Sequence, residues 1–242
     1  PRSLAIGPSR IERTSDGLSI ELREWTFPFP RRVVGRLSIR LDGARPVDYA
    51  LDAAGHHRWS PLSPRASIEV DFERPRMRWQ GTAYVDTNRG ERPLERDFRR
   101  WSWSRSELAD GRSAVFYDPE PRVGAATSRS LLFERDRGGV PIESPPRVVL
   151  ARSGWGMDRI VRSDGEARVV RTLEDSPFYS RSLFESTIDG IPAIGIHESL
   201  DLGRFALFWV QALIPFRAPR DATPPSDFSS SPPPVISPRG CC

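Results

Sequence analysis

Lysine is absent from the 242 residues, so all 36 basic side chains are arginines. A bias of this kind is what GC-rich coding produces. The arginines alternate with 32 acidic residues along most segments. The net charge of +4 and the sequence pI near 9.7 therefore do not describe a nucleic-acid stripe, which needs basic side chains gathered on one face. Cysteine is confined to Cys241 and Cys242, so neither a disulfide framework nor a thiolate metal site has the spacing it requires. Histidine is scarce: His56, His57 and His197 are all there is for acid–base work at neutral pH. No apolar run approaches the roughly 18 residues of a membrane-spanning helix. No signal peptide is visible, and the sequence opens at Pro1. A phosphate-cradling glycine loop, a nucleophile elbow and a paired-histidine metal motif are likewise missing.

What the sequence does hold is a series of short β-type runs between Gly, Pro and Asp turns. They are LSIELRE (18–24), RLSIRL (36–41), ASIEVDF (66–72), MRWQGTAYVD (77–86), SAVFYD (113–118), SRSLLFER (128–135), ARVVRTLE (167–174), YSRSLFEST (179–187) and IPAIGIHES (191–199). In LSIEL the Leu and Ile side chains share one face and Ser and Glu the other, the period of a half-buried antiparallel strand. Many strands and almost no helix predict an all-β fold, barrel or sandwich. One segment departs: LGRFALFWVQAL (202–213) puts Phe205, Phe208, Trp209 and Leu213 at helical spacing before Pro215. Residues 221–242 are dominated by Ser and Pro and are expected to form a disordered tail.

Several residues invite a chemical reading, and each has a plainer one. Asp86 follows a predicted strand and opens DTNRG; taken alone, the stretch favours an Asp capping a turn. His57, in AAGHHRWSPLSP, reads as a surface histidine of another turn. Trp59, Trp79, Trp101 and Trp103 fall at strand spacing and fit a core as well as a ligand box. His197 and Glu198 are candidates for a metal or acid–base pair, with a cross-strand pairing as the bland alternative.

The stretch GTAYVDTNRGERPLERDFRRWSWSR (81–105) carries Gly-x-x-Tyr-x-Asp-x-Asn, then Gly-x-x-Pro-Leu-Glu, then Phe-x-x-Trp-x-Trp-Ser-Arg. It resembles the signature block of the carotenoid 1,2-hydratases, the hydroxyneurosporene synthase family. LDAAGHHRWSPLSP (51–64), RTLEDSPFYSRSLFE (171–185), and HESLDLGRF (197–205) with LIPFRAPR (213–220) match in the same order. The likeness extends from about Leu4 to Arg220. Arg89 stands where an aromatic or small residue is more usual, and the Cys-Cys end is foreign to the family.

The resemblance implies tandem lipocalin-like antiparallel β-barrels. Residues 1–75 would be the closing part of a first barrel whose opening strands are absent, and 76–220 a second barrel with a C-terminal helix. It also implies addition of water to the terminal C1=C2 double bond of an acyclic carotenoid such as neurosporene or lycopene, by acid catalysis and without a cofactor or metal. The family's His-x-Trp and Tyr-x-Asp pairs fall on His57 and Trp59, and on Tyr84 and Asp86, as catalytic residues. Trp101 and Trp103 would contact substrate. Such an enzyme is expected in the cytoplasm, in peripheral contact with the lipid of the inner photosynthetic membrane, with no nucleic-acid partner. Its acid must stay protonated near pH 7, although a free Asp titrates near ~3.9; burial among aromatic walls supplies the needed shift. A non-catalytic isoprenoid carrier on the same barrel, or a hydratase for another prenyl group, would share most of these features.

Overall fold

The computed structural model of the protein describes residues 3–26, 29–43, 47–125, 127–134 and 138–214. The expected tail at 221–242 lies outside the described residues. The first part of the chain supplies β1 (Ser3–Ile6), β2 (Ser9–Arg13), β3 (Gly17–Trp25), β4 (Arg32–Arg40), β5 (Tyr49–Ala50), β6 (His57–Arg74) and β7 (Met77–Gly90). After α1 (Leu94–Asp97) come β8 (Phe98–Leu108), β9 (Ser113–Pro121), β10 (Arg129–Phe133) and β11 (Gly139–Pro141). The chain continues through β12 (Arg147–Leu150), β13 (Arg159–Arg162), β14 (Arg168–Asp175), β15 (Tyr179–Ile188) and β16 (Ile191–Asp201). It ends in α2 (Leu202–Phe205) and α3 (Phe208–Leu213).

Two antiparallel sheets result. The first runs β1-β2-β3-β4-β6, with β5 beside the start of β6 and β7 along its other edge. The second runs β11-β10-β9-β8-β16-β15-β14, and β12 and β13 form a separate hairpin. Among the described residues neither sheet closes on itself, so the lipocalin-like fold appears as open sheets rather than sealed barrels. The expected division at 75/76 falls in the turn between β6 and β7, which pair from end to end inside the first sheet.

Register follows the apolar alternation. Leu18 and Ile20 of β3 oppose Ile39 and Leu37 of β4, which in turn oppose Ile68 and Val70 of β6. A slip of one residue would turn all of these to the opposite face. The sequence misleads at β6, where Pro61 and Pro64 suggest a loop. The strand passes through both, with register shifts at Pro61/Ser63 and Ser63/Ala66 that accommodate residues lacking an N–H. The turn lies upstream, where Asp52 accepts from the His56 and His57 amides at 3.1 and 2.7 Å. The predicted helix at 202–213 is broken. Asp201 caps α2 by accepting from the Arg204 amide at 2.9 Å, Leu207 is extended, and Phe208 is 88% exposed.

The main core lies between the sheets. Leu51 and Trp59 from the first pack with Phe98, Val115, Tyr117, Leu131 and Phe133 from the second, and with Leu202. The opposite face of the second sheet buries Ala114, Phe116, Leu132 and Ile188, so β9 is covered on both sides. That accounts for the unbroken apolar run in SAVFY. Each such large side chain contributes about 1.5–3 kcal/mol.

His197 also faces away from the first sheet, fully buried, with Nε2 3.3 Å from Ser199 Oγ. Burial, reinforced by the Arg159 charge, depresses its pKa to about 3. The folded protein therefore refuses a proton that the unfolded chain accepts below about pH 6.5. Stability present above that pH is lost as the pH falls toward about 3. We expect chemical denaturation to show a loss on the order of a few kcal/mol beginning above the carboxylate range. The loss should be much smaller in His197→Gln, and equal slopes in the two proteins would contradict this assignment.

Candidate active site

Three alternate residues of β7, Tyr84, Asp86 and Asn88, share the face turned to the second sheet. On β6, Trp59 lies opposite Asn88 and Pro61 opposite Asp86, with the register shift immediately after. Bulges of this kind re-aim side chains beside a site. The Trp59 ring is fully buried and its Nε1 donates to Asp86 Oδ2 at 2.8 Å. From the second sheet come Trp101 and Trp103 of β8 and Tyr117 of β9. The Tyr84 and Trp103 ring centroids are 5.1 Å apart, Trp59 and Tyr117 5.3 Å, and Trp101 and Tyr117 5.9 Å. The Tyr117 hydroxyl donates to Asn88 Oδ1 at 3.2 Å, fastening the two sheets beside the acid. Arg105 lies over the Tyr84 ring, 6.0 Å from its centroid.

This enclosure sets the electrostatics. Burial pushes the Asp86 carboxyl above its usual range, against the opposing pull of the Trp59 and Tyr84 donors, and the Glu198 charge adds to the rise. Burial, then the charge of Asp86, drives the Tyr84 phenol well above its ordinary value. The Tyr84 hydroxyl interacts with Asp86 at longer range, without a hydrogen bond of full geometry. Like Trp103 Nε1, it is buried and lacks a partner within normal hydrogen-bond limits. The Trp59 and Tyr84 donors thus act on a carboxyl whose pKa burial raises.

Asp86 is therefore not a turn residue; β7 continues to Gly90. Nor is His57 a surface histidine. It is 1% exposed, its Nε2 lies 2.6 Å from Asp97 Oδ2, and Asp97 also takes Arg92 Nε at 2.7 Å. Its ring meets Phe98 edge-on at 5.1 Å, and a Cβ at Gly90 would stand 2.8 Å from Nδ1. No hydrogen bond joins His57 to Asp86; it occupies the same face of β6 two residues before Trp59. The structure brings together Asp86, Tyr84, Trp59, Trp101 and Trp103, and adds Tyr117 and Asn88. Strand alternation separates His197 from Glu198, whose carboxylate pairs across strands with Arg181 at 2.7 Å. Trp79 is 43% exposed and stands outside the cluster. Among the described residues no group of His, Cys, Asp and Glu could hold a metal ion. Clefts of about 720 and 640 Å³ lie along the first sheet among charged side chains. One of about 160 Å³ reaches Trp101 and Leu200.

An acid buried among aromatics between two open lipocalin-like sheets defines the class. Solved structures share the fold: a putative AttH from Nitrosomonas europaea aligns with TM-score 0.52 at 16% identity, over 82% of this chain and 70% of that one. Kievitone hydratase from Nectria haematococca aligns with TM-score 0.50 at 14% identity and the same coverage. The family described as carotenoid hydratase CrtC matches residues 1–226, and the chain belongs to it. It is 42% identical to an acyclic carotenoid 1,2-hydratase of Thiocapsa roseopersicina over 91% of this chain and 55% of that protein. A namesake from Rubrivivax gelatinosus is 38% identical over 90% and 54%. One from Cereibacter sphaeroides is 38% identical over 91% and 79%. The chain spans about half the length of the first two relatives.

The raised Asp86 pKa has a signed consequence. The folded state holds this proton more tightly than the unfolded one, so the stability it contributes is full below the unfolded pKa. That contribution is lost as pH rises through the folded value. We expect Asp86→Asn to unfold at higher denaturant than the parent at pH 7 to 8, the gap closing below about pH 4. A parent that is more stable at pH 8 would show that the carboxylate is welcome in the fold. Gly90→Ala should displace His57 and cost about 1–3 kcal/mol by overpacking, read from the same denaturation curves.

Proposed function

We propose that the protein is a carotenoid 1,2-hydratase, adding water to the terminal C1=C2 double bond of an acyclic carotenoid. The observation that carries this reading is the Asp86 carboxyl, half-buried in the aromatic layer, held by Trp59 and with its pKa raised by burial. Hydration of a trisubstituted alkene is redox-neutral and begins with a proton. Asp86 delivers it to C2, and the positive charge develops at C1 as a tertiary cation. The rings of Tyr84, Trp103 and Tyr117 pack in the layer beside the acid, and an aromatic face there would be worth about 0.5–2 kcal/mol to a desolvated cation. Water then adds at C1 and loses a proton, leaving a tertiary alcohol. Trp59 fixes the orientation of the acid, and His57, clamped by Asp97, supports the strand that carries Trp59.

The substrate is lipophilic, so the protein must meet it at a lipid surface. On α3 and its flanks Leu207, Phe208, Trp209 and Leu213 are between 43% and 88% exposed, an apolar and aromatic surface suited to peripheral contact with membrane lipid. Among the described residues no helix is long and apolar enough to cross a membrane.

The test is to supply lycopene or neurosporene to the whole gene product in heavy water and to analyse the extracted pigment. One deuterium at the carbon beside the new alcohol carbon is expected. Asp86→Asn should bind pigment but lower turnover by at least ~10². Pigment binding without alcohol in the parent would identify a carrier instead.

A further inference from the structure

Resting on that functional reading, we infer that Glu198 is the base that takes the proton from the attacking water, facing Asp86 from the opposite sheet. Its position follows from the register. Glu198 of β16 lies directly opposite Trp103 of β8, so both side chains share the face turned to the first sheet, where Trp103 meets Tyr84. On its other side β16 pairs with β15, and Arg181, directly opposite Glu198, binds its Oε1 through Nε at 2.9 Å and Nη2 at 2.7 Å. Both guanidinium contacts fall on Oε1, and the Tyr179 phenol of the same strand lies within reach of the carboxylate. The Glu198 side chain is 23% exposed, so water can reach it; Asp86 is half-buried. Burial raises the pKa of Asp86 and the Glu198 charge adds to that rise, as it adds to the burial-driven rises of Tyr117 and the half-buried Tyr179. The charged and titratable groups coupled to Glu198 are Asp86 from β7, Tyr117 from β9, and Tyr179 and Arg181 from β15.

The step balances. The Asp86 O–H bond breaks and a C2–H bond forms; the C1–O bond forms from water, and one water proton passes to Glu198. The enzyme is then left with Asp86 ionised and Glu198 protonated, and transfer of that proton back to Asp86, directly or through solvent, restores it. The arrangement sets the acid and the base on opposite sheets.

In the whole gene product, Glu198→Gln is expected to lower kcat by about 10²-fold or more, with KM for the carotenoid changing by less than about threefold. Glu198→Asp should retain at least ~10-fold more activity than Glu198→Gln, and formate should restore turnover to Glu198→Ala by a similar factor. Pigment binding followed by absorbance should match the parent in all three. A Glu198→Gln enzyme within about threefold of the parent kcat would overturn the assignment while leaving Asp86 in place. So would a loss that neither aspartate nor formate relieves, because that pattern belongs to a structural partner of Arg181. Absence of alcohol from the parent itself would overturn the hydratase reading and this inference together.

Discussion

The hydrogen bond from Trp59 to Asp86 ties the burial of the aromatic layer to the chemistry of the acid. Trp59 is wholly enclosed, and leaving its indole N–H without an acceptor would cost about 1–3 kcal/mol. Asp86 supplies that acceptor at 2.8 Å. The carboxyl is in turn held inside a layer it would otherwise leave for water. An indole donor is neutral, so it positions the oxygen without the strong ionising pull of an arginine. Asp118 provides the contrast within the same chain. It too is largely enclosed, yet the guanidinium of Arg162 at 2.6 Å brings its pKa below the ordinary carboxylate value. Two half-buried aspartates on one scaffold are thus shifted in opposite directions by the kind of donor they face.

Placing the site between sheets also explains why both sheets present alternate aromatics there. Tyr84, Asp86 and Asn88 are every second residue of β7, and Trp101 and Trp103 every second residue of β8. Two strand faces meeting across a packed layer need no loop to bring these groups together. Tyr117 completes the contact, meeting Trp59 through its ring and Asn88 through its hydroxyl. The site is rigid because its walls are the core.

This geometry decides what could be read from the sequence. The all-β class was legible because LSIEL, YSRSLF and similar runs keep strict alternation, and alternation is a local property. The Tyr-x-Asp and His-x-Trp pairs are singled out only by the family resemblance; alternation alone leaves their role open. His57 and Asp86 read locally as turn residues because Gly55, Pro61, Pro64 and Asn88 surround them. The bulges that let β6 run through two prolines depend on partners far along the chain. Tyr117 was hidden in the apolar run SAVFY, where nothing local distinguishes a phenol facing the site from one filling a core. Glu198 was visible only as the neighbour of His197. The alternation that separates the two becomes meaningful once β16 is known to lie between β8 and β15.

The break in the predicted helix follows from the same competition between local and distant partners. Phe205, Phe208, Trp209 and Leu213 satisfy helical periodicity, yet the chain turns at Ala206 and Leu207. Phe205 packs against Phe178 at 5.2 Å and joins the layer between the sheets, and its carbonyl accepts from Gln211 Nε2 at 2.7 Å. Continuing the helix would have required that carbonyl to bond within the backbone. It would also have carried Phe208 and Trp209 in line with Phe205. Anchoring one aromatic in the core therefore turns the following ones outward. The same sequence pattern that predicted a single amphipathic helix is divided between a buried cap on the site layer and an apolar surface facing outward.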